Sequence, residues 1–408
     1  MEPKIFGEHE DGTLEQLHDV ASRAEYAALM ADGHLGYIMP VGGVTAYADK
    51  VSVAGVGYDI GCGNAAARTN LTLEDFAGLG LEDFDRNPHR VRTNPRLVEL
   101  ADEVFDQLSF GIGRKNDVET GLDDHPIFRD DALWVIPNAG GYRDTLLQKA
   151  RDQLGTIGGG NHYVDIFVDQ EGYLWVGVHF GSRGFGHTIA TNFLALTRGE
   201  PWGARVKEHE GLVHLQNPIG HDYFGLMGVA GRYAFLGRSW VVDHVLKIMG
   251  AEATDRVHNN HNFAWRENHL GRDLVVVRKG ATPAFPGQRG FVGGSMGDDA
   301  VILRGAKHEE GSAERWVQKQ ALFSTVHGAG RTMGRRQAKR TLDEEAVRKW
   351  IRDRGVIVRG SDLDEAPQAY RRLPDVLEHQ GDTVEVEHRL RPVVVCMAPS
   401  GTRDPYRD

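Results

Sequence analysis

The sequence is almost free of cysteine and has no long apolar run. Only Cys62 and Cys396 occur in 408 residues, far apart along the chain, which excludes a framework of disulfide bonds. No apolar run approaches the roughly 20 residues that a membrane-spanning helix requires. The acidic first residues lack the basic and apolar regions of a secretion signal. We therefore expect a cytoplasmic protein with no membrane contact.

A surplus of positive charge is also missing. The net charge is −11, which argues against general coating of nucleic acid, because nonspecific phosphate binding depends on excess Lys and Arg. Any nucleic-acid site must therefore be local. The sequence also contains no linker rich in Pro or Ser and no internal repeat. These absences predict one domain over residues 1–408.

The pattern of apolar residues predicts a mixed fold. Helical spacing is found over 14–31, 72–108, 143–153, 224–251 and 253–269. Short β-branched runs that end at glycine turns predict strands, and the C-terminal segment 373–399 predicts a pair of edge strands. Because strands and helices alternate irregularly, we predict an α+β fold with mixed or antiparallel sheets surrounded by helices.

Four short segments each place a metal-ligand side chain beside glycine or asparagine. They are DIGCGN (59–64), GGGNHYVD (158–165), VHFGSRGFGH (178–187) and VHNNHNFA (257–264). The spacing of Asp59 and Cys62 lets one turn present a carboxylate and a thiolate to the same point, and a cation would hold the thiol deprotonated. A lone Cys or His is usually structural, but this mixed donor set predicts a borderline divalent transition metal. A thiolate can also bridge two cations.

The candidate imidazole ligands come from three of these segments. His162 would enter at the start of a strand, with Asn161 and Asp165 nearby, and His179 follows an apolar strand. In the fourth segment, either His258 or His261 could be the ligand, because their spacing places both on one face if the segment is helical.

Two glycine turns predict an anion site. The backbone N–H groups of GGSMG (293–297) and HGAG (327–330) could line a phosphate-binding nest. The second turn leads to Arg331, Arg335 and Lys339, spaced as a basic stripe on a helix and suited to a polyphosphate or an RNA backbone. A solvated helix face would have the same pattern. His327 opens this turn, where an imidazole can act as a nucleophile at phosphorus or as a general base.

Taken in order, these segments and RKGATPAFPG (278–287) resemble the RtcB family of RNA-splicing ligases, from about residue 32 to 397. The resemblance implies a GTP- and manganese-dependent ligase that joins an RNA 3′-phosphate or 2′,3′-cyclic phosphate end to a 5′-hydroxyl end, in tRNA splicing or RNA repair. The predicted partners are such RNA ends, GTP and an activating protein, and the predicted state is a monomer.

The resemblance also implies roles for individual residues. Asp59, Cys62 and His162 would hold one manganese ion, and Cys62, His179 and His261 would hold the second. His327 would be the residue that GTP guanylylates. The guanylate pocket would be lined by Asn161, Asp165, Gly293, Gly294, Ser295, Met296, Gly297, His327, Gly328, Ala329 and Gly330.

Three departures from the family pattern stand out. Asp165 replaces the usual Glu, and Gly293 replaces the usual Pro, which predicts a looser turn. Where the family commonly ends in Lys-Gly, with the lysine reaching guanine, this chain continues past Pro399 through residues 400–408. We therefore expect weaker discrimination between GTP and ATP.

Two other functions fit the same residues. A metal-dependent phosphoesterase that only opens cyclic phosphates would need the metal ligands but not His327. An RNA-end-binding paralogue without turnover would bind RNA independently of nucleotide. Uptake of label from α-labelled GTP distinguishes these functions from ligation.

Overall fold

The structure of the protein is a computed structural model, and it describes residues 2–136 and 139–401. The strands, numbered in chain order, are β1 (Lys4–Ile5), β2 (Tyr26–His34), β3 (Val41–Tyr47), β4 (Lys50–Ser52), β5 (Gly63–Thr72), β6 (Tyr163–Asp169), β7 (Tyr173–Phe180), β8 (Leu212–His214), β9 (Ala253–Asn260), β10 (Asn262–His269), β11 (Arg272–Lys279), β12 (Ala281–Pro283), β13 (Arg289–Val292), β14 (Ala300–Gly305), β15 (Ser324–Val326), β16 (Ile357–Ser361) and β17 (Val384–Pro399).

The α-helices are α1 (Asp11–Ala21), α2 (Val53–Val56), α3 (Leu73–Ala77), α4 (Leu81–Arg86), α5 (Pro88–Arg92), α6 (Pro95–Gln107), α7 (Ala139–Gln153), α8 (Arg183–Leu196), α9 (Pro218–Met249), α10 (Ala313–Gln320), α11 (Arg335–Thr341), α12 (Glu344–Asp353) and α13 (Leu373–Gln380). Short 3-10 helices lie at Pro126–Arg129, Asp131–Val135, Leu363–Glu365, Pro367–Ala369 and Gly381–Thr383. No helix in the described ranges is both long and apolar enough to cross a membrane.

Two larger sheets form the frame of the fold. One has eight strands in the order β13-β14-β17-β6-β7-β5-β9, with β16 pairing to β17, and the other has the order β1-β2-β3-β11-β10. All strand pairs are antiparallel except β1 with β2 and β16 with β17. The predicted α+β class with mixed sheets and surrounding helices is confirmed.

Alternation along β6 decides which residues reach the site. Val164 and Ile166 pack in a buried cluster with residues of α6 and α9 on one face of the larger sheet. Tyr163 and Phe167 pack in a different cluster on the opposite face, together with residues of α12. Since successive side chains of a strand point to opposite faces, Asp165 shares the face of Tyr163.

The longest helix follows simple capping rules. Asn217 precedes α9, and its side chain accepts a hydrogen bond from the backbone of Ile219, while Pro218 occupies the first turn. Gly250 ends the helix with φ 65°, a left-handed conformation that favours glycine. Helices predicted over 72–108, 143–153 and 224–251 are confirmed as α3 to α6, part of α7, and most of α9.

The predicted helix over 14–31 is wrong in its second half. Helix α1 ends at Ala21, and Tyr26–His34 forms strand β2. Nearly all of β2 is buried. A short apolar run that is buried on both faces has no periodicity that separates a strand from a helix.

The predicted helix over 253–269 is also wrong. This segment forms strands β9 and β10, which pair with β5 and β11 respectively, and His261 lies in the link between them. His258 and His261 therefore do not share a helix face. Pairing of β9 with the distant strand β5, and of β10 with the next strand β11, outweighed the local preference.

The predicted C-terminal pair of edge strands is wrong as well. Leu373–Gln380 is helix α13, and Val384–Pro399 is one strand that lies inside the larger sheet between β14 and β6. Pro392 is tolerated there because the register with β6 shifts between Pro392 and Val394. Residues 402–408, in the segment that departs from the family ending, lie outside the described residues.

Candidate active site

The metal-ligand segments meet at one edge of the larger sheet. In an antiparallel sheet, the start of one strand lies beside the end of its neighbour. Cys62 immediately precedes β5, whose first residues pair with the last residues of β7 and β9. His179 lies at the end of β7 and His162 immediately before β6. The backbone N–H of His261 donates to the carbonyl of Cys62 at 2.9 Å.

Cys62 is shared by two groups of possible ligands. One group contains Asp59, Cys62 and His162, and the other contains Cys62, His179 and His261, with the donor atoms of each group within 4.8 Å of one another. The Cys62 Sγ lies 3.2 Å from His179 Nε2 and 3.8 Å from His162 Nε2. The distance from Asp59 Oδ2 to His162 Nε2 is 3.1 Å.

His258 lies outside this cluster. Its Nε2 accepts a hydrogen bond from Arg238 Nε at 3.2 Å, and its ring stacks on Phe235 with centroids 4.0 Å apart. Of the two histidines that the sequence pattern left open, the fold therefore brings only His261 to Cys62. Local spacing did not separate them, because His258 lies on β9 whereas His261 lies in the link between β9 and β10.

Burial sets the protonation of the cluster. It lowers the pKa values of His162, His179 and His261, so these imidazoles are neutral. Burial alone would raise the pKa of Asp59, but the hydrogen bond with His162 and the nearby charge of Arg183 outweigh it and keep this carboxyl ionised. Burial raises the pKa of the Cys62 thiol well above its usual range. Only a cation bound at the sulfur would make the thiolate stable here.

The donor set fits a borderline divalent ion. Neutral imidazoles, a carboxylate and a thiol that requires a cation are the ligand forms that such an ion uses. His261 Nδ1 is buried and has no hydrogen-bond partner among the described residues. Gly181 makes room for the carboxylate, since a Cβ at this position would lie 2.3 Å from Asp59 Oδ1. Arg183 Nη1 contacts His162 Nδ1 at 3.0 Å and orients this ring.

His327 follows β15 and lies next to the metal cluster. Its ring centroid is 5.0 Å from that of His261. The Nδ1 atom lies 2.6 Å from Oδ2 of Asp32, which also accepts the backbone N–H groups of His327 at 2.9 Å and Gly328 at 3.2 Å. Nδ1 thus faces the carboxylate of Asp32, which makes Nε2 the candidate reactive atom.

Asp32 is the functional residue that sequence reasoning missed. It is completely buried on β2, and although burial raises the pKa of its carboxyl, the charge and hydrogen bonds of His327 lower it further. The carboxyl is therefore ionised. A signal was present: Asp32 directly follows the apolar run 27–31, and a buried carboxylate requires partners.

One cavity of about 1390 Å³ connects these groups. Small-molecule sites usually enclose roughly 300–1,000 Å³, so this cavity has room for more than one ligand. The predicted site residues that line it are Asp59, Cys62, Asn161, His162, Asp165, His179, His261, Gly293, Gly294, Ser295, Met296, His327, Gly328, Ala329 and Gly330. Gly297 does not line it, because this residue lies against Trp350, 3.0 Å from where a Cβ would be.

The two glycine turns are held together. Gly293 and Gly328 form a short parallel bridge, and Ser295 donates a hydrogen bond to Asp298 at 2.8 Å. A Cβ at Gly293 would lie 2.4 Å from the hydroxyl of Tyr163. Tyr163 therefore favours glycine at position 293, where the family usually has proline.

Asp165 differs from the other carboxylates of the cavity. Burial raises its pKa well above the usual range, so the group is a neutral carboxylic acid. Its Oδ1 atom has no hydrogen-bond partner among the described residues. A neutral acid can both donate and accept a hydrogen bond, whereas a carboxylate can only accept.

The predicted basic stripe lies partly at the cavity, since Arg331 and Arg335 contribute to its wall, but its cations are paired within the chain. Helix α11 begins at Arg335, so Arg331 lies in the preceding turn. Arg331 Nη1 donates to Glu365 at 3.2 Å, and Arg335 donates to the same carboxylate. Lys339 pairs with Asp362. The acidic residues of 362–365 neutralise all three cations, which a local reading of 331–339 could not reveal.

The fold and the cavity define a class of protein: an α+β scaffold with two groups of possible metal ligands that share a cysteine, beside a histidine that contacts a buried carboxylate. Residues 14–398 match the family described as tRNA-splicing ligase RtcB. The chain belongs to this family.

Several relatives cover nearly the whole chain. A tRNA-splicing ligase RtcB of Thermococcus kodakarensis is 32% identical, over 95% of this chain and 91% of the relative. A tRNA-splicing ligase RtcB of Archaeoglobus fulgidus is 31% identical over the same shares of 95% and 91%. An RNA-splicing ligase RtcB of Escherichia coli K12 is 31% identical, over 91% of this chain and 89% of the relative.

Proposed function

We propose that this protein is an RNA ligase that joins RNA 3′-phosphate or 2′,3′-cyclic phosphate ends to 5′-hydroxyl ends, using GTP and two manganese ions. The observation that carries this proposal is the position of His327. Its ring is 5.0 Å from His261 of the metal cluster, and its Nδ1 is 2.6 Å from the buried Asp32. Family membership supports the same reaction class.

The two ligand groups would hold the two ions through a common sulfur. Asp59 and His162 would complete one site and His179 and His261 the other, with Cys62 in both. Bound there, divalent ions neutralise charge on the reacting phosphates and stabilise the leaving pyrophosphate.

His327 would form the covalent intermediate. Its Nε2 attacks the α-phosphorus of GTP while the bond to pyrophosphate breaks, which leaves guanylate on the imidazole as a phosphoramidate. Asp32 keeps the proton on Nδ1 and stabilises the positive charge that the ring develops, as the orienting carboxylate does in a catalytic triad. Buried at 0% exposure, Asp32 does this without competition from water.

Two further displacements would complete ligation. A cyclic phosphate, where present, is first hydrolysed to a 3′-phosphate. An oxygen of the 3′-phosphate attacks the guanylate phosphorus, and the bond to His327 Nε2 breaks. The 5′-hydroxyl then attacks the RNA phosphorus, loses its proton and displaces GMP, so the strand is sealed.

The nucleotide would lie against the two glycine turns. The bridge between Gly293 and Gly328 brings residues 293–296 beside 327–330, and Asn161 and Asp165 line the same cavity. Asp165 would contact the base as a neutral acid, which can donate to an acceptor nitrogen. We expect weaker discrimination between GTP and ATP, because the chain lacks the lysine that reaches guanine in the family pattern.

The decisive experiment is covalent labelling with α-labelled GTP and manganese. Wild-type protein should take up label that is acid-labile and alkali-stable, as expected for a phosphoramidate, and should pass it to RNA with a 3′-phosphate. His327→Ala should take up no label and seal no RNA, while its manganese content stays unchanged.

His258→Gln is the matched control, since His258 is a partly buried histidine outside the cavity and glutamine keeps an acceptor for Arg238. This variant should be labelled like the wild type. If the wild type seals RNA without ever taking up label, or His327→Ala seals RNA, the covalent mechanism is wrong. If the wild type and His327→Ala both open cyclic phosphates and neither seals RNA, the protein is the phosphoesterase instead.

A further inference from the structure

Three aromatic side chains line the cavity beyond the metal cluster. Tyr58 and His187 stack with centroids 5.4 Å apart and an interplanar angle of 27°. The ring of Tyr37 meets Tyr58 edge-on at 6.1 Å and 80°. All three side chains are partly buried and contribute to the cavity wall. We call Tyr58 and His187 the aromatic pair.

The aromatic pair is tied to the metal cluster through the chain. Tyr58 directly precedes Asp59, which belongs to the first ligand group. His187 lies one turn after Arg183 on α8, and Arg183 contacts His162 of the same group at 3.0 Å. The aromatic pair and the first ligand group therefore lie in the wall of the same cavity.

The loop that carries Tyr37 is held in one conformation. Lys279 Nζ donates a hydrogen bond to the carbonyl of Tyr37 at 2.6 Å. Ile38 has φ 60°, a left-handed conformation that is a true outlier for a β-branched residue. Such strain persists only where the surroundings over-determine the backbone, and it concentrates at ligand sites. The ring of Tyr37, which contacts Tyr58 edge-on, is therefore held in place by its own loop.

The chemistry of the wall indicates what binds there. Single-stranded RNA is recognised largely by stacking of unpaired bases on Tyr, Phe, Trp and His. A cavity of about 1390 Å³ exceeds what one nucleotide needs, so space remains beside the guanylate pocket for a terminal nucleotide of RNA. Tyr58 packs partly against the core, yet it also lines the cavity, and core packing alone does not explain that second position.

We propose that the aromatic pair is a stacking site for the terminal nucleobase of an RNA end that is being joined. This inference rests on the proposed ligase function. The proposed site binds the flat face of a base and does not distinguish one base from another. The metal site, by contrast, would act on phosphate and hydroxyl groups. The base belongs either to the 3′-phosphate strand or to the 5′-hydroxyl strand, and the experiment distinguishes them.

The test compares intact and abasic RNA ends. Two short oligonucleotides are used, one with a 3′-phosphate and one with a 5′-hydroxyl, each with its terminal nucleotide either intact or abasic. Dissociation constants are measured with manganese-loaded wild type, Tyr58→Phe and Tyr58→Leu. Base stacking on an aromatic side chain contributes enough for wild type and Tyr58→Phe to bind one intact strand roughly 5- to 150-fold more tightly than its abasic form.

Tyr58→Leu should lose this preference, because leucine fills similar space without a π-face. The strand whose preference disappears is the one that stacks. A second readout is 2-aminopurine placed at the same terminus, whose fluorescence should be quenched by wild type and Tyr58→Phe but not by Tyr58→Leu. The inference is overturned if wild type shows no preference with either strand, or if Tyr58→Leu keeps the wild-type preference.

Two controls keep the result interpretable. Manganese content reports whether Asp59 still holds its place beside the changed residue, and His187→Leu, farther from Asp59 in sequence, should reproduce the loss of preference. Guanylylation of the wild type without RNA tests the ligase proposal separately. If the wild type is labelled but shows no base preference, only the stacking-site proposal is wrong. If the wild type neither takes up label nor binds RNA, the ligase proposal is wrong as well.

Discussion

The metal-ligand cluster and the basic segment after His327 both place ionisable side chains at one cavity, but their partners differ. In the cluster, Cys62 is a thiol that lacks a counter-charge, and His261 Nδ1 has no hydrogen-bond partner in the described structure. In the basic segment, Arg331, Arg335 and Lys339 are paired with carboxylates of residues 362–365.

This difference separates a binding site from a structural one. Buried polar atoms without partners are costly, so a cluster that keeps them is completed by something from outside the chain. A cation that already has a carboxylate has little left to offer a phosphate. This contrast points to the residues around Cys62, rather than to the basic segment, as the candidate metal site.

The strongest test of this contrast is Cys62→Ala. Because the sulfur belongs to both ligand groups, its removal should eliminate both metal ions and all ligation. Metal counting by mass spectrometry on the purified protein measures the first effect. Cys396→Ala is the matched control, since Cys396 is equally buried but lies near the carbonyl of Ala101, away from the cavity, and should keep both ions. Two retained ions in Cys62→Ala would contradict the shared ligand.

A second test addresses the activation of His327. Asp32→Asn preserves the shape of the side chain but removes the charge that fixes the Nδ1 proton. The rate of guanylate transfer to His327 should fall on the order of 10²- to 10⁴-fold, with manganese content unchanged. Single-turnover labelling measures this rate. An unchanged rate would mean that Asp32 only organises the backbone of residues 327 and 328.

The third test asks whether the basic segment is structural. Glu365 is 3% exposed, so Glu365→Gln should leave the charges of Arg331 and Arg335 poorly compensated and lower the free energy of unfolding by about 3 kcal/mol. Lys339→Gln should cost at most about 1 kcal/mol, because its ion pair is partly solvated. Urea denaturation at a constant manganese concentration compares the two. Equal, small effects would show that the segment is available to RNA.

The smallest expected effect concerns protons. Burial raises the pKa of Cys62, so near neutral pH the metal-free thiol is protonated, while Asp59 is already ionised and the histidines are already neutral. Loading both manganese ions should release about one proton per protein. The apparent affinity for the ion that first deprotonates the sulfur should rise up to about tenfold per pH unit. Calorimetry in buffers of different ionisation enthalpy measures the proton count. Release of no proton would contradict the protonated thiol.

Much of the site was predictable from short motifs. The donors Asp59, Cys62 and His162 each stand in a glycine turn beside a strand, and His179 lies at the end of a strand before such a turn, as the local pattern predicts. The two glycine turns were recognisable for the same reason. What failed was the assignment of segments buried on both faces, such as 26–34, where periodicity carries no information.

Residue types and local spacing by themselves determined that this chain offers a thiol, a carboxylate and several imidazoles in turns that end strands. Only the tertiary structure decided which groups become partners. It placed His261, in the link after β9, beside Cys62, whereas His258 on β9 contacts Arg238 and Phe235. It joined Asp32 to His327 across 295 positions of the chain. It also neutralised the basic segment with residues 362–365. Such pairings depend on long-range packing and burial, which local sequence patterns do not encode.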